Sequence, residues 1–168
     1  MRGLQPHKDK VIMNKVDISA AEISMPSWKS GAGSFALKVL KEIKRENWEL
    51  SILFCDDKTI AELNNRYRNR AEATDILSFP LGETAREGDK NVYLSGDIVI
   101  SLDTLRKNAR YFKTGEDEEL RRLLIHGILH LDGMDHRTND GNEPMLELQE
   151  EILNRLKDEQ IIRRGGKK

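Results

Sequence analysis

At 168 residues, 38% of them hydrophobic, the chain has material for one compact core and not for several. Its charged fraction is 34%, but Lys+Arg 28 nearly cancels Asp+Glu 29, so net charge selects no strongly acidic or basic partner. A single cysteine excludes an intrachain disulfide and suits a reducing compartment, and no stretch approaches the roughly 18 consecutive apolar residues of a membrane span.

Residues 1–12 are polar and lack an apolar signal core. They read as a disordered extension to a single domain over 13–160, and a cytoplasmic location is expected. Val11 to Ser19 reads as an early strand. Phe35, Leu37, Leu40 and Ile43 recur at helical spacing and predict a helix over Ser34 to Arg45. Leu50 to Cys55 is a buried strand, in which Cys55 is a small core residue rather than a nucleophile. Asp56 or Asp57 caps the next helix, which runs toward Tyr67. Asp75 to Phe79 is a short strand stopped by Pro80, and the polar, glycine-bearing Leu81 to Asn91 reads as a mobile loop. Val92 to Ser101 alternates as a strand, with Gly96 marking a bulge or a close backbone approach.

Leu102 to Phe112 is helical in pattern. Thr114 followed by Asp117 resembles a capping box. Beyond it Leu120, Leu123, Leu124, Ile128 and Leu131 form an apolar stripe that Ile125 and Leu129 widen, as a helix buried nearly all round requires. Asn142 is the expected cap of a final helix with Pro144 in its first turn and Met145, Leu148, Ile152 and Leu156 on its core face. Residues 161–168 read as a flexible basic tail. These elements predict an α+β single domain: a small mixed sheet of about four strands packed with five to six helices.

The chemistry concentrates in residues 126–136, His-Gly-Ile-Leu-His-Leu-Asp-Gly-Met-Asp-His, which hold three of the chain's 4 histidines. On the central helix, His126 and His130 stand one turn apart on one face. Gly133 can end that helix in a left-handed conformation, and the returning chain brings His136 toward the same point. Three imidazoles can then meet one zinc ion at about 2.0–2.1 Å and leave a position open, the arrangement of a catalytic rather than a structural site. The same spacing occurs in zinc peptidases of the pattern His-Glu-x-x-His-x-x-Gly-x-x-His. Their general base is Glu, and Gly127 stands in its place here. Gly127 either makes room for a neighbouring element or leaves space beside the metal for a bulky substrate. Asp132 or Asp135 either orients an imidazole or is a helix-end surface charge. Arg66, Arg68 and Arg70 alternate around Tyr67, a pattern suited to phosphate contacts with a base stacked on the ring. A solvated loop end with ordinary surface arginines is the alternative.

Three blocks together resemble the YbeY family: His126 to His136; Leu63-Asn64, Tyr67-Arg68 and Thr74-Asp75-Ile76-Leu77-Ser78-Phe79-Pro80; and Gly96-Asp97-Ile98-Val99-Ile100-Ser101. The resemblance spans roughly residues 14–157. It implies a single-strand-specific endoribonuclease with one zinc ion on His126, His130 and His136 and a functional arginine at Arg68. It also implies ribosomal RNA and the small ribosomal subunit with its proteins as partners, rather than DNA or membrane. The expected roles are maturation of the small-subunit RNA 3′ end and ribosome quality control. The family's usual Gly-Lys-Asp after the arginine is Asn69-Arg70-Ala71 here. Two other readings stay open: a zinc peptidase lacking its Glu, and a non-catalytic ribosome-assembly factor with a structural zinc. Asp75 reads as the cap or brace of a turn, and Asp97 as an exposed partner contact or a hydrogen-bonded brace.

Overall fold

The computed structural model describes residues 13–163. The expected N-terminal extension and residues 164–168 of the tail lie outside them. Four strands form one mixed sheet in the order β1-β2-β4-β3. Strands β1 (Lys15–Ala20), β2 (Trp48–Cys55) and β4 (Lys90–Ser101) are mutually parallel, and β3 (Ile76–Glu87) runs antiparallel to β4. Five helices complete the fold: α1 (Lys29–Glu42), α2 (Asp57–Arg68), α3 (Leu102–Tyr111), α4 (Glu116–Leu131) and α5 (Pro144–Arg155). None of them is long and apolar enough to cross a membrane.

Alternation along the strands sends side chains to two faces. Ile52, Phe54, Ile98 and Ile100 join the main core with residues of α1, α4 and α5. Cys55, Leu77 and Val99 form a smaller cluster on the other face with Ile60 of α2. Helix α4 runs through the middle of the main layer, touching α1, α3, α5, β3 and β4. Its Leu120, Leu124, Ile125, Ile128 and Leu129 are fully buried, each worth roughly 1.5–3 kcal/mol of transfer free energy. That packing, rather than helix propensity, fixes the backbone carrying the histidines. Burial also pushes the Cys55 thiol up to about 12, so it is no nucleophile.

Several local expectations are corrected. Pro80 does not stop β3, which continues to Glu87. The strand lies at the sheet's edge, where one side of the backbone has no ladder to serve and a missing N–H is tolerated. Leu81 to Asn91 is therefore the outer part of a long hairpin and not a loop. It closes through Gly88 and Asp89, between the paired Glu87 and Lys90. Helix α1 begins at Lys29, before the expected Ser34, because fully buried Ala32 packs its first turn despite Gly31 and Gly33. Thr114 caps nothing. Gly115 is the N-cap of α4, the Thr114 N–H closes the end of α3 on the Ala109 carbonyl, and Asp117 is engaged elsewhere.

The Oδ1 of Asp117 accepts the N–H groups of Ile161 and Ile162, each at 2.7 Å, and Ile161 is buried. These two residues belong to the folded body and not to a flexible tail. Glu143, not Asn142, is the N-cap of α5: the Glu143 carbonyl accepts the Glu147 N–H at 2.9 Å, and no side chain caps the helix. Pro144 does occupy the first turn. Gly96 has a φ of +135° and sits where the register of β2 and β3 against β4 shifts. A Cβ there would meet the Phe79 carbonyl oxygen at 2.1 Å, so the close backbone approach read from the sequence is real.

Candidate metal centre

The end of α4 delivers His126 and His130 to one face. Gly133, at φ +90°, then turns the chain, and the segment after it returns His136. Ring centroids of the three imidazoles lie 4.6, 5.2 and 5.5 Å apart. One ligand nitrogen from each lies within 4.8 Å of the other two.

Hydrogen bonds decide which nitrogens are free. His130 Nδ1 is 3.0 Å from the Met134 carbonyl, and His136 Nδ1 is 2.9 Å from the Thr138 carbonyl. Carbonyl oxygens only accept, so both Nδ1 atoms carry hydrogen. His126 Nδ1 is 2.7 Å from Gln149 Oε1. The Gln149 amide is oriented by its own NH2, which donates to Glu150 Oε1 at 3.3 Å, so its oxygen faces the ring. All three Nε2 atoms are therefore bare lone pairs. Those of His126 and His130 stand 3.1 Å apart. Two acceptors that close repel unless a cation lies between them. Nitrogens bound tetrahedrally at about 2.0–2.1 Å to one zinc stand roughly 3.3 Å apart, so this donor set fits such an ion. Burial lowers the pKa of His126 and of His130, which favours the neutral form a metal needs.

The centre opens into a cleft of about 890 Å³, within the usual range of ligand sites. Arg68, at the exposed C-terminal end of α2, lines it and makes no ion pair among the described residues. The left-handed Asn69, at φ 53°, ends that helix. Asn64 Nδ2 holds the next loop through the Glu72 carbonyl at 3.0 Å. Arg66 lines neither this cleft nor the adjoining hollow that Arg68 and Arg70 share. Alternation is a strand period, and on the last turn of a helix residues two apart point to different sides. Tyr67 is 61% exposed, and its ring lies at 60° to that of Phe79, with centroids 5.1 Å apart.

Arg122, which also lines the cleft, is neutralised by Glu118, Glu119 and Glu150. Burial raises the pKa of Glu119. Asp75 lines the cleft and accepts from Asn108 Nδ2 at 3.3 Å. Asp97 is an exposed brace that accepts from Ser51 Oγ. Neither Asp132 nor Asp135 orients a ring. Asp132 takes a two-pronged bond from Arg45 at 2.7 and 3.2 Å, and Asp135 accepts the His136 N–H at 2.8 Å. Gly127 is buried facing the sheet, where an added Cβ would strike Ile98 and Ile76. It makes room for the strands, and a Glu at this position would be driven into them rather than toward the imidazoles.

Sequence reasoning missed the three oxygens that fix the rings. Two are backbone carbonyls and leave no trace in residue identity. Gln149 left one: it is a buried polar residue on the face of α5 that carries Met145 and Ile152.

A single α+β domain whose central helix gathers three histidines that could hold a metal ion, beside an open cleft, has the construction of a hydrolase. The profile of the family described as Endoribonuclease YbeY matches residues 14–157, and the chain belongs to that family. An Endoribonuclease YbeY of Treponema denticola is 47% identical over 131 residues, covering 77% of this chain and 84% of that protein. One from Borreliella afzelii is 44% identical over 126 residues, covering 73% and 83%. The solution structure of TM1509 from Thermotoga maritima superposes with a TM-score of 0.59 at 27% identity, covering 92% of this chain and all of that one.

Proposed function

We propose that this protein is a zinc-dependent endoribonuclease that cuts single-stranded RNA. The observation that carries the reading is the convergence of three bare Nε2 lone pairs beside an arginine without a carboxylate partner, in one open cleft. His126, His130 and His136 would hold a zinc ion, which would supply Lewis acidity to offset negative charge developing on a phosphodiester. The protein's own part is to hold the ligands and the strand. Gln149 and the Met134 and Thr138 carbonyls keep each ring turned and its Nε2 unprotonated. The Arg68 guanidinium presents a planar fork that matches two phosphate oxygens and draws the scissile group to the imidazole face. Membership in a family named for endoribonuclease activity supports RNA over peptide as the substrate, and Gly127 leaves the peptidase reading without its base. Within the cell we assign it to the cytoplasm and to ribosomal RNA, in maturation of the small-subunit 3′ end and in ribosome quality control.

The test is metal analysis of the purified protein together with cleavage of defined single-stranded RNA, for wild type and two variants. His130→Ala should lose zinc and cleavage together. Arg68→Ala should keep zinc and lose cleavage by about 10²-fold, the scale of removing one group that stabilises transition-state charge. A metal-free His130→Ala protein that still cuts RNA would end the metal role, and full turnover by Arg68→Ala would end the clamp.

A further inference from the structure

We propose that Tyr111 and Phe112, at the end of α3, form a stacking platform for the RNA strand where it passes beyond the cleft. This rests on the ribonuclease reading and adds a second contact to it. Tyr111 is 80% exposed and Phe112 62%, yet they are neighbours with rings 5.0 Å apart at 88°. Two large aromatic rings, each more than half exposed on one helix end, belong to neither hydrophobic cluster of the fold. The surrounding charge says what covers them. No acidic residue occurs from Arg106 to Gly115, while Arg106, Lys107, Arg110 and Lys113 are all basic. Lys107 is committed to Asp57 at 2.6 Å, and Arg106 leans on Asp103 at 3.8 Å. Arg110 and Lys113 make no ion pair among the described residues. The core of a protein interface is depleted of charge; an aromatic pair with unpaired cations next to it in the chain is instead the pattern that binds single-stranded nucleic acid, with bases on the rings and phosphates on the cations.

Position supports the same occupant. Asn108 donates to Asp75, which lines the cleft. Tyr111 and Phe112 lie three and four residues further on, the offsets that share a helix face with Asn108. The platform therefore begins about one helical turn, roughly 5 Å, beyond the cleft wall. A strand held at Arg68 can leave along it. Stacking needs only a π-face, so the contact is indifferent to base identity and strengthens with strand length.

The experiment compares kcat and KM of the zinc-loaded full chain on a short oligoribonucleotide that fills only the cleft and on a strand several times longer. In Tyr111→Ala/Phe112→Ala, KM for the long strand should rise roughly tenfold, the effect of losing about one stacked base. Its kcat, and both constants on the short strand, should stay at the wild-type level. Arg110→Gln/Lys113→Gln should raise KM on the long strand at low salt and flatten its salt dependence. Tyr111→Phe/Phe112→Tyr, which keeps both rings, should behave as wild type. An unchanged KM in the double alanine variant, with wild type cutting both strands, would overturn the platform, leave the surface to a protein partner, and spare the ribonuclease reading. A zinc-loaded wild type that cuts neither strand would overturn both.

Discussion

Gly127→Ala asks whether the second residue of the histidine motif serves packing or substrate. A Cβ built there stands 2.9 Å from Ile98 Cδ1, 3.0 Å from Ile76 Cδ1 and 3.1 Å from Ile98 Cγ1. Carbon atoms settle at about 3.5–4.0 Å, so the methyl intrudes by roughly half an ångström on three atoms. Ile98 is fully buried and has no solvent to swing into. Overpacking of this kind costs about 1–3 kcal/mol, against about 1 kcal/mol gained from alanine's helix preference over glycine. The variant should therefore lose about 1 kcal/mol in urea unfolding followed by circular dichroism.

The sharper measurement is a cycle with Ile98→Val, which removes the nearest of the three atoms. That change alone should cost about 0.5–1.5 kcal/mol. In the double variant the two costs should fall short of their sum by about 0.5–1 kcal/mol. Zinc affinity and RNA cleavage per folded molecule should be those of wild type, since the new methyl points at the sheet. Additive costs combined with lost cleavage in a stable Gly127→Ala protein would refute this reasoning and show that the glycine keeps space for substrate.

Gly96→Ala combines a left-handed φ with a 2.1 Å contact to the Phe79 oxygen, and should cost about 3 kcal/mol or more in thermal or urea unfolding. Asp117→Ala removes the acceptor of Ile161, Ile162 and the Arg121 Nε. A loss of about 2–3 kcal/mol is expected, with faster proteolysis near residue 161; unchanged stability would mean the anchor contributes nothing. Burial depresses the pKa of His126 below its unfolded value of about 6.5. Its neutral form thus adds stability above that pH, which is lost as pH falls from about 6.5 through the folded value. Metal-free protein should melt at a lower temperature at acid than at neutral pH, and His126→Gln should flatten that slope. A steeper slope in the variant would contradict the assignment.

The histidine spacing, the turn at Gly133 and the close approach at Gly96 were legible because each rests on a local rule: helical period, left-handed glycine, missing Cβ. What was not legible depends on partners distant in the chain. Pro80 reads as a stop only if its strand is interior, and strand order is not written in the residues around it. Thr114 and Asp117 have capping-box spacing, yet Asp117 spends its oxygens on Ile161, Ile162 and Arg121. The alternating arginines suggest one face until the segment is known to be helical. Gln149 lies 23 residues from His126, and only its oddity on an apolar stripe hints at a task.

The placement of Pro80 bears on how molecules of this protein meet one another. An outermost strand of twelve residues is a template on which a second chain can add its own backbone, the first step toward fibrous association. Pro80 withholds an N–H from any such newcomer, and the register shift between Pro80 and Glu83 breaks the even spacing a newcomer would have to match. The same residue that makes the strand look interrupted on paper hinders a second chain from extending the sheet.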